Sequence, residues 1–368
     1  MADYGTKLAE GFSQKLMLEF YDKNLIDSVC NRDYEGDINA VGSKLNILNF
    51  ARISEKTYAD AAMTYDTISE NNSQLIIDQY KSFYWVEKTL ARWLSYIKNP
   101  HPTIVSQVAN ERGKNVDEFA LGLYADVGSG NNVGTDVTGT LTSIITLTGV
   151  VTSAGTEFTE AMIGRPFKAT GHSKWYRISA YSSTSEVTII DDLDDVDAQY
   201  TGGAIGAVAF TVRAATVLTI TTTNLLQKVS DLKLRLDKAE AEGYSTVPDQ
   251  DRVLIVPPEF APILVRASGV ALHVPDVYSE LVKKGMITTL QGFKVFQSNR
   301  LSGDNSDGYR VLAFHPSWLT FAEKTLQVRM EEDLPGDFGT AYKDLFVYGA
   351  KVTDARRHMA AEGFWKFS

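Results

Sequence analysis

The side chains of this chain that could act as acids, bases or metal ligands are scattered instead of standing at the spacings of known sites. No two histidines form an HExxH or HxH pair, the spacings that let two imidazoles share a zinc ion. No GxSxG nucleophile elbow and no Walker phosphate loop occur. The histidines are His101, His172, His273, His315 and His358. The sequence therefore favours structural or surface histidines and predicts no catalytic residue, no cofactor and no metal site.

A glycine-rich segment, GSGNNVG at residues 128–134, differs from dinucleotide-binding loops. Gly128, Gly130 and Gly134 miss the GxGxxG spacing, and the segment follows a predicted helix where the dinucleotide fold requires a strand. We therefore predict a linker here.

An acidic run, DDLDDVD, could bind a hard cation through carboxylate oxygens. It lacks the central glycine and terminal glutamate of an EF-hand loop, so a solvated hairpin turn is favoured. Its carboxylates are Asp191, Asp192, Asp194, Asp195 and Asp197.

Residues 32–87 predict two strands joined by a long polar arm. Ala51–Ser73 is polar, contains no Gly or Pro, and is much longer than the usual hairpin loop of about two to five residues. The apolar positions alternate as in half-buried strands, and they include Leu45, Ile47, Leu75, Ile77, Phe83 and Trp85. Isolated hairpins are marginal in water, so we expect the arm to pack on a neighbouring subunit. An ordinary hairpin with a flexible loop is the alternative.

Helical spacing of apolar residues predicts three further elements before residue 245. Residues 8–20 form a docking arm or first core helix with a stripe of Leu8, Phe12, Leu16 and Phe20. Residues 103–126 form a long helix weakened by Gly113. Asn224–Glu242 forms a third helix, with a predicted Asp231–Arg235 pair and Gly243 as its cap. The stripe of this last helix is Leu225, Val229, Leu232, Leu236 and Ala239.

Short apolar runs dominate the C-terminal part. Val253–Val256 predicts a strand, and a helix that can begin at Pro258 packs through Phe260 and Leu264. Further strands are predicted at Phe293–Phe296, Tyr309–Phe314 and Leu345–Val347.

The composition changes between the two long helices. From Ser129 to Ala215 the chain is rich in Thr, Ser, Gly and Val. Short strands are predicted at Leu141–Leu147, Trp175–Ala180 and Glu186–Ile190, which indicates a small all-β barrel or sandwich inserted into an α+β body. One continuous α+β domain with a β-rich centre is the alternative.

Composition narrows the function classes. With 368 residues, 44% of them hydrophobic, the chain can bury a sizeable core in two or three domains. The net charge of -10 argues against strong phosphate or sequence-specific nucleic-acid binding. Cys30 is the only cysteine, which excludes an intrachain disulfide. No signal peptide and no stretch of about 18 apolar residues are present, so we expect a soluble, unexported chain without a membrane partner.

The order of these segments resembles a major capsid protein of a tailed bacteriophage, with the Hong Kong-type shell fold that encapsulins share. RDYEGDINAVGSKLNI resembles the strand entering the E-loop, QLIIDQYKSFYWVE the strand leaving it, and VDEFALGLYADV the end of the spine helix. DRVLIVPPEFAPIL resembles the axial-domain strand and helix, GMITTLQGFKVFQSNRL a later axial element, and LFVYGAKVTDARR the closing peripheral strand.

The resemblance implies a domain plan. It comprises an N-terminal arm (1–39), an E-loop (40–87), a spine helix with peripheral domain (88–128), the β insertion (129–215), a peripheral-to-axial helix (216–244), an axial domain (245–340) and a closing peripheral segment (341–368).

The resemblance also implies a function: non-enzymatic self-assembly, in the host bacterial cytoplasm, into the icosahedral head of the virion around double-stranded DNA. Hexamers and pentamers would form around residues 245–340. A portal protein and a separate scaffolding protein are expected partners. The scaffolding protein is expected because only a short segment precedes the arm. A decoration protein is a further partner that the resemblance allows. The expected intersubunit contacts are Phe12, Leu16, Leu45, Ile47, Lys56, Leu75, Ile77, Phe83, Tyr84 and Trp85.

In a subset of this family an E-loop lysine forms an isopeptide bond with an asparagine of a neighbour. Lys56 with Asn299 or Asn305 would be the pair here, although a solvated lysine is favoured. Three other functions stay open: an encapsulin-like nanocompartment shell, a hydrolase or transferase with a β-rich accessory domain, and a cell-surface binding module.

Overall fold

The computed structural model describes most of the chain outside its N-terminus. The described residues are 25–33, 44–50, 55, 70–88, 101–172, 174–191, 199–239, 246–271, 289–331 and 339–368. The predicted helix of residues 8–20, with Phe12 and Leu16, lies outside these ranges. So do Lys56, Gly243, His273 and residues 192–198 of the acidic run.

The described elements are mostly strands. The helices are α1 (Ile26–Val29), α2 (His101–Leu121), α3 (Leu225–Asp237) and α4 (Phe260–Ala271). The strands are β1 (Lys44–Phe50), β2 (Glu70–Ile76), β3 (Gln79–Lys81), β4 (Tyr84–Lys88), β5 (Asn132–Val133), β6 (Thr135–Ile144), β7 (Val150–Ser153), β8 (Pro166–Ala169), β9 (Tyr176–Ser183), β10 (Glu186–Asp191), β11 (Ala209–Thr216), β12 (Leu218–Ile220), β13 (Val253–Val256), β14 (Thr289–Leu290), β15 (Phe293–Gln297), β16 (Tyr309–Phe314), β17 (Leu319–Glu331), β18 (Gly339–Val352) and β19 (Ala360–Phe367).

A seven-stranded mixed sheet forms the centre of the body. Its order is β12-β19-β16-β13-β15-β14, and β5 also pairs with β19. All four residues of β13 are buried because both faces of the sheet are covered, as its uninterrupted apolar run predicts. Residues 341–368, predicted as a closing peripheral segment, include β19, which lies inside this sheet and pairs with β16. The predicted boundary at residue 341 falls inside β18 (Gly339–Val352), and the domain plan itself stays a prediction.

The central sheet is the middle layer of three. On one face, α3 and α4 pack through Leu232 and Phe260 against Leu254 and Trp365. On the other face lie α2 and the strands β17 and β18, with Val116 among the packed side chains. This burial of apolar area from both sides is what holds the body together.

The long predicted helices are confirmed. A turn of 3-10 helix, Gly122–Asp126, follows α2, so the two together reach the predicted end. The whole predicted stripe of α3 is buried. The predicted Asp231–Arg235 pair is not seen, because Asp231 instead accepts a hydrogen bond from Lys228 at 2.7 Å. The next helix, α4, starts at Phe260 instead of Pro258.

A long antiparallel hairpin of β17 and β18 forms a second sheet, in which β3 and β4 pair with β18 one after the other. The sequence indicated only Leu345–Val347 of this hairpin. Charged and polar side chains interrupt the apolar alternation of β17 (LTFAEKTLQVRME), which obscured its length.

The predicted strand arm exists, with β1 antiparallel to β2 and Leu45 opposite Leu75. Its base packs on its own chain: Ile47, Leu75 and Ile77 are buried with Ala322 and Val347 of the long hairpin. The expectation that a neighbouring subunit supplies the packing of these three side chains is therefore corrected.

The insertion is a closed barrel of six strands in the order β10-β7-β6-β11-β8-β9. Its core contains Phe158, Phe167 and Phe210, with ring centroids 5.2 and 5.4 Å apart along the stack. The chain leaves the central sheet after β5 and returns at β12, and both strands pair with β19. Entry and exit are thus neighbours, which is the geometry that tolerates an inserted module.

Candidate assembly surface

Among the residues that the structure describes, α2 and the arm cover only the half of the long hairpin nearer the central sheet. Near the central sheet, one face lies against α2 through Phe346 and Tyr348. The opposite face of that half carries the arm, which packs on Val347. The other half of the hairpin, together with β4, extends beyond both covers. We call this part, residues 84–88, 328–331 and 339–344, the distal sheet end.

One face of the distal sheet end carries an apolar row across three strands. Met330 is opposite Tyr342, which is opposite Trp85, so the three side chains share this face. Trp85 stacks on Tyr342 with ring centroids 5.1 Å apart. Met330 is 56% exposed and Val328, two residues earlier on the same face, is 75% exposed. This face therefore offers apolar area that the described part of the chain leaves exposed.

The second face is also apolar. Tyr84 and Val86 alternate with Trp85 along β4 and so point to the face on which the arm lies further along. Tyr84 is 83% exposed and Val86 is 49% exposed. An ion pair between Lys343 and Glu331 lies on the same face, with Nζ and Oε1 2.5 Å apart. Both faces of the distal sheet end are consequently available for contact.

Asp344 anchors this sheet where it meets the body. Its Oδ1 accepts a hydrogen bond of 3.0 Å from the backbone N–H of Phe83, which fixes the start of β4. Arg112 of α2 pairs with the same carboxylate, and its guanidinium lies 4.1 Å from the ring centroid of Phe346. Charge-assisted bonds and the cation–π contact thus hold the sheet against α2 while its far end projects.

The predicted contact residues divide into two groups. Phe83, Tyr84 and Trp85 lie at or beside the distal sheet end. Ile47, Leu75 and Ile77 do not, because they are buried between the arm and the long hairpin, and Leu45 is half-buried beside them. The prediction missed Val328 and Met330 because charged side chains surround them, although the alternation in QVRME was a signal.

The stretch that leads out of the N-terminal segment is fastened at two places. Asp117 of α2 is fully buried, and its carboxylate accepts hydrogen bonds of 3.1 and 3.0 Å from the backbone N–H groups of Leu25 and Ile26. Arg300 pairs with the same carboxylate. Further on, Asn31 exchanges backbone hydrogen bonds of 3.0 Å with Leu319 and Phe321. These bonds fix the stretch from Leu25 to Asn31 on the body.

The asparagine candidates for a covalent cross-link differ in their surroundings. The side-chain amide of Asn305 donates to the carbonyl of Phe367 at 2.9 Å and accepts from its N–H at 2.8 Å. These two bonds hold the end of β19, so both polar atoms of the Asn305 side chain already take part in a contact within the fold. Asn299 is exposed.

The glycine-rich segment and the first aspartate of the acidic run both make contacts that stabilise the fold. The linker at residues 128–134 is held by Asn131, whose amide donates to the carbonyls of His358 and Ala360 at 2.8 Å. Asp191 ends β10. Burial of this carboxyl opposes its ionisation, but hydrogen bonds from Lys174 and Thr201 outweigh the burial, so the pKa of Asp191 lies below its usual value. Within the described ranges, no three His, Cys, Asp or Glu side chains converge as metal ligands.

A membrane-crossing helix is not found either. Of the helices in the described part of the chain, none is both long enough and apolar enough to span a bilayer.

Comparison with known proteins adds the family. Residues 179–360 match a family model described as "Phage capsid protein". No curated protein matches the chain. A solved chain from Mycobacterium phage Che8 shares 19% identity, with a TM-score of 0.61 and 96% of each chain covered.

Two further solved structures have the same fold. The capsid structure of cyanophage P-SCSP1u aligns with a TM-score of 0.58 at 12% identity, covering 98% of this chain and 93% of the other. The mature capsid of bacteriophage PhiM1 aligns with a TM-score of 0.55 at 9% identity, covering 97% and 91%.

The fold is the α+β Hong Kong-type shell fold, here with a β-barrel inserted. Together with the family match, it makes the chain a structural component of a virion, the major capsid protein of a tailed-phage head. These comparisons give no support to the encapsulin or hydrolase alternatives.

Proposed function

We propose that copies of this chain assemble into a closed icosahedral shell around double-stranded DNA, and that the distal sheet end is one of the contacts between copies. The observation that carries this proposal is the exposure of Val328, Met330, Tyr84 and Val86 on the two faces of one projecting sheet. An apolar group exposed on both sides of a sheet is favourable only when another surface covers it.

The chemistry of this surface suits a protein contact. Aromatic side chains and methionine are enriched at interface cores, and a few such anchors supply most of the binding free energy. Burial of apolar area contributes about 25 cal/mol per Å², so one such contact is modest. A shell multiplies it, because each copy meets several neighbours and closure makes the contacts act together.

The finer parts of the proposal follow from the capsid function. The chain acts without enzymatic chemistry, forms hexamers and pentamers, and is assembled in the host bacterial cytoplasm. A scaffolding protein and a portal protein are its expected partners, and a decoration protein can join them. A net charge of -10 fits a container whose lining does not bind the genome tightly.

A charge placed on the distal sheet end tests the proposed contact. The variant V328E/M330E puts two carboxylates on exposed positions, so folding should be unchanged while particle yield falls at least tenfold in sedimentation. Leu234→Glu is the matched control, because Leu234 is 48% exposed on the surface of α3, away from the distal sheet end. Normal shells from V328E/M330E would contradict the proposed contact.

A further inference from the structure

The barrel meets the body through a buried charged contact. Arg165, just before β8, donates from Nη1 and Nη2 to the two carboxylate oxygens of Glu362 at 2.6 and 2.7 Å. The exposed fractions of the two side chains are 2% and 1%. Bidentate pairs of this kind are strong and directional. The contact joins positions 165 and 362, one in the barrel and one in the central sheet.

Glu362 belongs to the body, whereas the two nitrogens that donate to its carboxylate both belong to Arg165 of the barrel. In β19 it lies opposite Leu312 of β16 and Asn132 of β5. Arg310 of the body also approaches, but its Nη1 is 3.5 Å from Oε1 and makes no hydrogen bond to it. Instead, the guanidinium of Arg310 lies 3.5 Å from the ring centroid of Phe364. The carboxylate therefore depends on Arg165 for its hydrogen bonds.

Two more arginines of the barrel hold the same junction. Arg177 donates to the carbonyl of Ala125 at 2.9 Å and pairs with Asp126 at 3.2 Å. Arg213 donates to the carbonyls of Ser129 and Gly130 at 3.3 and 3.2 Å. Three separate contacts determine both the position and the rotation of the barrel on the body.

We propose that the barrel is an internal stabiliser of the shell-forming body, with Arg165 completing the charge site at Glu362, so that barrel and central sheet unfold together. The physical reason is the asymmetry of buried ion pairs. Removing the partner of a buried carboxylate costs more free energy of unfolding than the intact pair contributes relative to an apolar contact. The body thus carries a buried carboxylate whose hydrogen-bond donors are present only while the barrel is docked, with the charge of Arg310 3.5 Å away as its remaining partner. This inference does not depend on which surface joins neighbouring copies.

The test uses full-length variants and hydrogen exchange resolved to single strands. In R165M, exchange should rise at least tenfold in β13, β16 and β19, which contain no residue of the barrel. E362Q should show a smaller rise in the same strands, because a neutral amide needs its donors less than a carboxylate does. The double variant R165M/E362Q should exchange no faster than R165M, since both changes remove one interaction.

Control and rescue variants keep the outcome interpretable. R266M removes an exposed arginine of α4 and should leave exchange unchanged. If R165M does not fold, R165K replaces it. Lysine keeps the positive charge but lacks the planar fork of two parallel donors, so a smaller rise is expected in the same strands. Three results would each overturn the proposal. In R165M, exchange could rise only in the barrel; the unchanged protein could unfold in two separate transitions; or the rise in the double variant could equal the product of the two single rises.

Discussion

Trp85 of β4 stacks on Tyr342 of β18, with ring planes inclined by 16°. The stack covers part of the indole, and the row continues to Met330, which is opposite Tyr342 in the hairpin. Tyr84, the neighbour of Trp85, points to the other face, where it is almost fully exposed. Two adjacent aromatic residues therefore have different surroundings: one contributes to the fold and to the surface, the other to the surface alone.

Substitution of these two residues should separate folding from assembly. Trp85→Ala removes the stack and its packing, so the free energy of unfolding should fall by about 1–2 kcal/mol, and particle yield should fall too. Tyr84→Ala should leave the free energy of unfolding within about 0.5 kcal/mol of the unchanged protein while lowering particle yield. Chemical denaturation and sedimentation measure the two quantities. Equal losses of stability in both variants would argue against the different surroundings described for them.

The arm is held against the hairpin at Gly349. A Cβ at this position would lie 2.5 Å from the carbonyl oxygen of Ile76 and 3.1 Å from the Cα of Ile77. Because these are backbone atoms, Gly349→Ala should push the arm off the hairpin and destabilise the chain by about 1–3 kcal/mol. Limited proteolysis should then cut the arm sooner.

Gly122→Ala is the control for this prediction, since an added Cβ there would meet no other part of the described chain within 4 Å beyond its own local backbone. It should leave the proteolysis pattern unchanged. An arm that is cut at the same rate in G349A as in G122A would contradict the packing of β2 on β18.

Asp117 should be the main anchor of the stretch that begins at Leu25. Asp117→Asn removes the charge that pairs with Arg300 in a buried site, so we expect a loss of about 3–5 kcal/mol. Amide exchange at Ile26 to Asn31 should increase more than exchange in the barrel. Asp307→Asn changes an exposed aspartate of a loop and is the control. Unchanged protection of α1 in D117N would refute the anchoring role.

A histidine in the barrel should make stability depend on pH. Nδ1 of His172 accepts from the backbone N–H of Ala169 at 3.3 Å, and Nε2 is 2.9 Å from the hydroxyl of Tyr200. That hydroxyl donates to the carbonyl of Gly203, so it accepts from a protonated Nε2. The neutral imidazole therefore satisfies all three groups. Burial, together with the charge of Lys168, lowers the pKa of His172 below its usual value.

The sign of this effect follows from linkage. Since the folded pKa is the lower one, the unfolded chain takes up the proton first, and stability is lost as pH falls below about 6.5. His172→Gln should reduce the difference in melting temperature between pH 5 and pH 7.5. Some difference should persist, because burial also lowers the pKa of His315. An unchanged pH dependence in H172Q would show that His172 does not contribute.

Local sequence patterns predicted those elements that can be assigned without knowing which distant residues pack against them. The stripe of α3, from Leu225 to Ala239, shows helical spacing by itself, and the apolar run of β13 shows a buried strand. The short alternating strands of the Thr- and Gly-rich segment likewise indicated an inserted barrel or sandwich. In all three cases the spacing of apolar residues along the chain is enough to predict the type of element.

The parts that were missed depend on contacts between distant residues. Alternation shows that Leu75 and Ile77 face a core, but it cannot tell that Ala322 and Val347 of the same chain provide it. The strand β19 (AAEGFWKF) contains a glutamate at its centre, which is unfavourable in a buried strand until Arg165 is known to pair with it. Sequence distance hides both relationships.

Electron cryo-microscopy of particles formed by the full-length chain tests the central claim most directly. We expect closed shells in which Val328 and Met330 of each distal sheet end are covered by a neighbouring copy. A chain that remains monomeric under assembly conditions, or a shell in which both side chains face solvent, would contradict the account.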